Sequence, residues 1–282
     1  MGADAEEPQS TTTYSDRRPA RIAAEARLAA HPGYRAFQDQ KAFKITLDGV
    51  FWPNYLSLKA LLDQAATDHE LGIELIQNVY DDSVARQFEA EASRRLHNYV
   101  AATMSLVEHS RRLMRGRGDD VSRAWDARRA DLLMNGEVPF MIDLRVFIQH
   151  KALPVLAHSL KIDHPNSPDA SWESEVELGR DRLLRWDGWK AAARAYLVQQ
   201  DEAIKLRPLV KKHAELVYQA NAWLLRTLAD DNAPALVDAN RLVVEVNQAM
   251  FGCTYEEAEA FTNRTSEERR RPRPQQRPPT SA

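Results

Sequence analysis

The stretch VARQFEAEASRRLHNYVAATMSLVEHSRRLMR, residues 84–115, decides the fold class. Its apolar side chains recur at helical spacing along two lines rather than one. The first line holds Leu96, Val100, Val107 and Met114, and the second holds Phe88, Ala92, Tyr99, Ala102, Leu106 and Leu113. A helix that is apolar on two sides is buried on two sides, so this stretch predicts the central helix of a bundle.

Helical patterns continue on both sides of this central stretch. They predict helices over 20–31, 34–48, 55–80, 119–134, 138–151, 180–200, 202–230 and 233–250, and a short helix from the Thr254/Glu257 capping box to about Asn263. Asn232 and Pro234 mark the predicted start of the helix over 233–250. Two segments, 153–162 and 172–178, flank a turn-rich loop and predict a β-hairpin. The fold class is therefore mainly α: an antiparallel helical bundle with a β-hairpin inserted near 153–178.

Composition divides the chain into a body and two tails. Residues 1–18 are acidic and polar and predict a disordered segment. Residues 264–282 hold four prolines and six arginines against two glutamates, which predicts a disordered basic tail. Such a tail suits either loose contact with nucleic acid or a solubilising terminus. The body, 19–263, is predicted to be a single helical-bundle domain.

Several function classes are excluded by residue usage. The ten glycines of this 282-residue chain form neither a G-x-G-x-x-G nor a P-loop pattern, so the two commonest phosphate cradles are absent. A single cysteine, Cys253, excludes an intrachain disulfide and a cysteine-based metal site. The net charge of −3 excludes a uniformly basic nucleic-acid binder. We find no signal peptide and no apolar run of membrane length, and therefore expect a cytoplasmic protein without membrane contact.

The eight histidines show no spacing typical of metal ligands. His97 and His109 lie 12 residues apart on the central stretch, about 120° apart around a helix, which favours structural roles. A metal-dependent bundle enzyme needs Glu and His ligands from several helices, and no E-x-x-H pattern stands here. We therefore expect neither a metal nor a cofactor.

The distinctive motif is DLRVFIQH, residues 143–150, inside an otherwise apolar helix. A buried Arg145 needs a partner, because an unpaired buried charge is costly. Asp143 and His150 are seven residues apart and within about 20° on one helix face, so the carboxylate can orient the imidazole or pair with it. In the alternative interpretation, Arg145 pairs with Asp143 inside the bundle and His150 only packs.

The RVFIQH segment, 145–150, resembles the arginine, four-to-six-residue, histidine motif of the HEPN superfamily of nucleotide-binding helical domains. The plan over about 55–250 is similar as well: a long helix containing RRLHNYVAAT (94–103), a returning helix, the motif helix and a β-hairpin.

This resemblance implies a homodimer in which two motifs line one cleft and cleave RNA without a metal, in a toxin or defence role. It implies that His150 is a general base or acid and that Arg145 neutralises the phosphorane oxygens. Spacing alone assigns Asp143 to setting the His150 tautomer.

Arginines also cluster where the central helix turns into the next one. Four of them, Arg111, Arg112, Arg115 and Arg117, are candidate RNA-binding residues. With Arg123, Arg128 and Arg129 they face four nearby aspartates, which leaves a net charge of +3 over this helical end. A solvated, salt-bridged helix end is the alternative interpretation. Trp186 and Trp189 suit either base stacking or core packing.

A second hypothesis is a non-catalytic interaction module that binds a protein partner or nucleic acid. Its basis is Val146, which stands where the nuclease members of the superfamily usually carry a polar residue.

Overall fold

The computed structural model describes residues 14–77, 83–163 and 171–270. It separates into two compact units. The larger unit is Asp39–Leu228, and the smaller unit combines Met1–Gln38 with Ala229–Ala282. The sequence predicts one domain over 19–263, and that single domain stays a prediction. The smaller unit has an apolar cluster of its own, formed by Ala24, Leu28 and Val246.

The described chain is mainly helical, as the sequence predicts. The helices are α1 (Tyr14–Ala30), α2 (Pro32–Ile45), a π-helix (Thr46–Phe51), α3 (Trp52–Thr67), α4 (His69–Gln77), α5 (Ser83–Met114), α6 (Asp119–Leu133), α7 (Glu137–His150), α8 (Arg180–Leu184), α9 (Ala191–Val198), α10 (Leu206–Phe251) and α11 (Tyr255–Arg270). The strands are β1 (Leu156–Asp163), β2 (Ser171–Gly179) and β3 (Ala203–Lys205).

The predicted hairpin is confirmed. Strands β1 and β2 pair in antiparallel fashion, with His158 opposite Val176. Strand β3 adds a third, short antiparallel strand beside β2, where the sequence predicts helix from 202. The loop residues 164–170 lie outside the described residues.

Four predicted helices have different bounds in the structure. The helix over 55–80 is broken at Asp68, whose backbone is extended and whose carboxylate accepts a hydrogen bond from the Leu71 N–H. The segment 180–200 is divided into α8 and α9. Conversely, the helices over 202–230 and 233–250 form one helix, α10, with Pro234 inside it. Asn232 does not cap a helix there, because its amide donates to the Gly33 carbonyl.

The chain ends are also more helical than the sequence predicts. Helix α1 begins at Tyr14, inside the segment predicted to be disordered, and α11 continues through Arg270. The capping box is confirmed, since the Glu257 N–H donates to Thr254 Oγ1 and the Thr254 N–H donates to Glu257. Residues 1–13 and 271–282 lie outside the described residues, and so does most of the predicted basic tail.

Helix α5 forms the centre of the larger unit, and both of its apolar lines contribute to the core. Leu96 and Val100 of the first line and Ala92, Tyr99 and Leu106 of the second are buried. Contacts with α3, α7 and the π-helix surround it. The prediction of a helix that is buried on two sides is confirmed.

A polar pair lies inside this core. His213 of α10 is fully buried, and its Nδ1 lies 2.5 Å from the Tyr99 hydroxyl of α5. Its Nε2 is buried and has no hydrogen-bond partner among the described residues. Burial lowers the pKa of His213 to about 3, because the interior disfavours the imidazolium.

This depressed pKa predicts acid lability. Below about pH 6.5 the unfolded chain protonates this histidine while the native chain does not, so stability falls as the pH drops toward 3. We expect urea unfolding between pH 7 and 4.5 to show a loss approaching about 1.4 kcal/mol per pH unit from this group. In His213→Gln, whose amide can still bond to Tyr99, that slope should shrink. Parallel stability curves for the two proteins would contradict the assignment.

Candidate functional site

Helix α7 carries the motif and lies deep in the larger unit. Its apolar side chains Phe140, Met141, Leu144 and Phe147 are buried. The helix contacts α5, α6 and α9. This burial agrees with the apolar pattern of 138–151, and it leaves the polar residues of the motif as the exceptions on α7 that need explanation.

Asp143 is the most deeply buried of these polar residues, with 3% of its surface exposed. Its Oδ2 accepts a 2.8 Å hydrogen bond from the backbone N–H of Lys190, and its Oδ1 lies 3.6 Å from the Lys190 ammonium. Lys190 is the residue that precedes α9. The carboxylate therefore anchors the start of α9 to α7, in the manner of a cap supplied from outside the helix.

Neither predicted partner of Asp143 is bound to it. In the described parts of the chain no hydrogen bond or ion pair joins Asp143 to His150 or to Arg145. The structure therefore does not bring Asp143 and His150 together, although they share a face of α7 in sequence. The reason is that Asp143 points to α9, while His150 lies at the end of α7 and is exposed.

Asp143→Ala is expected to destabilise the protein by about 1–3 kcal/mol, because the Lys190 N–H then loses its acceptor at a half-buried position. Asp143→Asn keeps a side-chain oxygen for that N–H and should cost less. Equilibrium unfolding in urea measures both values. Equal stability of the Ala variant and the unsubstituted protein would show that the contact does not support α9.

Arg145 is half-buried, and its Nε is enclosed without a hydrogen-bond partner. Within the three described ranges, no ion pair involves its guanidinium. The alternative interpretation, in which Arg145 pairs with Asp143, therefore has no contact to support it. A guanidinium with no carboxylate partner keeps its charge available for an anion.

His150 is the last residue of α7, and its side chain is exposed. That side chain makes no hydrogen bond or ion pair with any residue that the structure describes. Arg145 and His150 lie five residues apart on a regular helix, which places them about 140° apart around its axis. One copy of α7 thus presents the two groups in different directions.

The arginines at the α5–α6 turn are mostly paired. Arg111 bonds to Glu108 at 2.6 Å, and Arg112 lies 3.3 Å from Asp39. The Nε of Arg117 donates to the Leu113 carbonyl at 3.1 Å. Arg115 is exposed, and its side chain has no hydrogen bond or ion pair with the described residues. The two carboxylates that pair with Arg111 and Arg112 offset part of the +3 charge predicted for this end.

Trp186 and Trp189 belong to an aromatic cluster. Trp189 is buried, stacks on Phe147 of α7 with ring centres 5.6 Å apart, and donates from its indole Nε1 to the Leu183 carbonyl. Trp186 is half-buried and packs edge-on against both Trp189 and Phe147. The contacts correspond to core packing against Phe147 of α7.

One polar contact of α5 has no counterpart in the sequence prediction. His109 is exposed, yet its Nδ1 lies 2.8 Å from the hydroxyl of Thr46, at the start of the π-helix. The histidine was visible as a candidate on α5. Its partner was not, because the two residues are 63 positions apart in the chain.

Metal-ligating side chains do not cluster in the described residues: no three of the His, Cys, Asp and Glu groups lie close enough to hold one ion. No described helix combines the length and the apolar character needed to cross a bilayer.

No known protein family, curated protein or solved structure matches this chain. The resemblance to HEPN proteins therefore rests on the residues of 145–150 and on the order of the helices.

Proposed function

We propose that this chain is a HEPN-like protein that acts on RNA as a metal-independent endoribonuclease, with Arg145 and His150 as its catalytic residues. One observation carries the proposal: both side chains lack an intramolecular polar partner in the described structure, while the neighbouring Asp143 is bound to Lys190. An arginine that the fold does not pair, on an apolar helix, is explained by an anionic ligand.

The proposed chemistry needs only side chains. An imidazole of His150 takes the proton of a ribose 2′-hydroxyl, and the 2′-oxygen forms a bond to the adjacent phosphorus. The bond from phosphorus to the 5′-oxygen breaks, and that oxygen receives a proton from a second imidazole, the partner subunit's His150. Arg145 stabilises the charge on the phosphorane oxygens. The products are a 2′,3′-cyclic phosphate and a 5′-hydroxyl end.

The angle between the two residues favours a homodimer. Because Arg145 and His150 diverge by about 140° on one helix, two copies are needed to surround one phosphate with both groups. Leu153 and Val155, which follow His150 closely, are 53% and 48% exposed, and a second copy would cover them. Such a nuclease would act in the cytoplasm, in a toxin or defence role.

The test is incubation of the purified full-length protein with single-stranded RNA in EDTA, followed by analysis of the new ends. Accumulation of 2′,3′-cyclic phosphate ends supports the proposal. Sedimentation or light scattering of the same sample gives the oligomeric state. Absence of cleavage by a protein shown to be folded would falsify the nuclease.

A second candidate is a non-catalytic module that binds RNA or a protein partner. The divergence of Arg145 and His150 on one α7, together with Val146 beside Arg145, favours it if the protein is monomeric. A salt-sensitive RNA mobility shift without new ends would identify RNA binding. A co-purifying protein without a shift would identify a partner-binding module.

A further inference from the structure

The hydroxyl of Thr46 determines which nitrogen of His109 is protonated. Thr46 is buried, and its Oγ1 donates to the Ala42 carbonyl at 3.2 Å, one turn earlier in the helix. A hydroxyl has one proton, so toward His109 the same oxygen is an acceptor. His109 therefore donates from Nδ1 over 2.8 Å, and its neutral form carries a lone pair on Nε2.

This arrangement gives α5 an oriented acceptor at its surface. His109 is exposed, and the Thr46 contact fixes its ring nitrogen on the protein side, which leaves Nε2 on the side away from that contact. A contact that restricts an exposed histidine through a buried threonine contributes little to the stability of the fold. The arrangement does hold one ring nitrogen, Nε2, in a single orientation, as a ligand site requires.

Arg112 lies three residues after His109, so the two side chains are neighbours on one face of α5. Its side chain is 72% exposed, and its ion pair with Asp39 at 3.3 Å is exposed on both sides. Exposed ion pairs of this kind contribute little to stability, so a competing anion can readily replace Asp39 as the partner of the guanidinium. This face of α5 thus combines a hydrogen-bond acceptor of fixed orientation, His109 Nε2, with a cation that can bind an anion, Arg112.

We propose that His109 and Arg112 form a ribose–phosphate subsite that selects RNA over DNA. The His109 Nε2 accepts a hydrogen bond from a ribose 2′-hydroxyl, and Arg112 binds the adjacent phosphate. These two groups neighbour each other in every ribonucleotide, and DNA lacks the hydroxyl. The inference rests on the proposed function for its ligand, but it uses α5 and the π-helix rather than the motif of α7.

The first experiment measures binding by fluorescence anisotropy with single-stranded RNA and DNA of matched sequence. All proteins are full-length and carry His150→Ala, so that RNA is not consumed. Adding His109→Ala should weaken RNA binding about three- to tenfold, the effect of one hydrogen bond, and leave DNA binding unchanged. Thr46→Val should lower the RNA preference in the same direction, because it removes the acceptor that holds the ring.

Variants of Arg112 and Asp39 test the phosphate contact of the subsite separately from its ribose contact. Arg112→Gln should weaken RNA and DNA binding alike and reduce the salt dependence by about one phosphate contact. Asp39→Asn should strengthen both, since it frees Arg112. The matched controls are His97→Ala and Arg94→Gln, an exposed histidine and an exposed arginine near the middle of α5, neither of which should change the RNA preference.

The second experiment tests the tautomer without any ligand. Nitrogen-15 NMR of the unsubstituted protein should show His109 protonated at Nδ1 when neutral, and Thr46→Val should abolish that preference. An Nε2-protonated ring would overturn the inference while leaving the nuclease proposal intact. Equal RNA and DNA affinities, or a preference that survives His109→Ala, would overturn it as well. If no RNA is bound at all, both proposals fail.

Discussion

His150→Ala is expected to lower the rate of RNA cleavage by about two to four orders of magnitude, the usual contribution of a positioned general acid or base. The effect should be large because each proposed cleft uses two copies of this imidazole. Fold stability should be nearly unchanged, since His150 is exposed and has no polar partner in the described structure. Single-turnover cleavage of a labelled RNA in EDTA measures the rate, and urea unfolding measures the stability.

Arg145 provides the companion measurement. Arg145→Ala should cost about two to three orders of magnitude in rate, because the guanidinium stabilises charge that develops in the transition state. Arg145→Lys keeps the charge but lacks the planar fork, so it should recover only part of the rate. The effects of Arg145→Ala and His150→Ala should not add, since both groups act on one phosphate.

His97→Ala is the matched control for this series, because His97 is an exposed histidine of α5 outside the motif. Its rate should equal that of the unsubstituted protein. If His150→Ala cleaves RNA as fast as His97→Ala does, the catalytic assignment is wrong, and the observed activity belongs to another site or to a contaminant.

Trp189→Ala is expected to destabilise the larger unit by about 3–5 kcal/mol. Trp189 is buried, stacks on Phe147, and lies 5.5 Å from Phe140 between ring centres. Removing the indole leaves a cavity between α7 and the segment before α9, and it leaves the Leu183 carbonyl without its donor. The loss would be a large fraction of the total stability of a typical domain.

Two further variants separate the loss of the aromatic ring from the loss of its hydrogen bond and provide an exposed control. Trp189→Phe keeps an aromatic ring but removes the hydrogen bond to Leu183, so we expect an intermediate loss. Met134→Ala removes a side chain that is 85% exposed and should stay within about 0.5 kcal/mol. Differential scanning calorimetry and urea unfolding both report these differences. A Trp189→Ala protein as stable as Met134→Ala would show that the stacking of Trp189 on Phe147 does not support the fold.

Helix positions were the most predictable part of this protein. The two apolar lines of α5 specify a central buried helix, and the two segments that flank a turn-rich loop specify the hairpin. Helix interruptions were less predictable. Asp68 breaks a continuous apolar pattern through a local side-chain bond, while Pro234 leaves α10 unbroken. Residues that commonly end helices therefore predicted the helix breaks poorly, because contacts with neighbouring elements decide whether a break is favourable.

The candidate site was predictable as a set of residues but not as a set of contacts. The sequence identifies Arg145, His150 and Asp143 as polar groups on an apolar helix, and α7 is that helix. It cannot show that the partner of Asp143 is Lys190, 47 positions away, instead of His150 on the same face. Helical spacing determines which side chains share a face, whereas the element packed against that face determines what they bind.

By itself the sequence determined a mainly α protein, the order of most of its helices, the hairpin, and the two positions on α7 where phosphate chemistry is proposed. Those features follow from the period of apolar residues and from local capping, which act within a few residues of the chain. The tertiary structure alone decided the two compact units, the anchoring of α9 by Asp143, and the contact of His109 with Thr46. These depend on contacts between residues far apart in the chain, and a linear pattern carries no information about such partners.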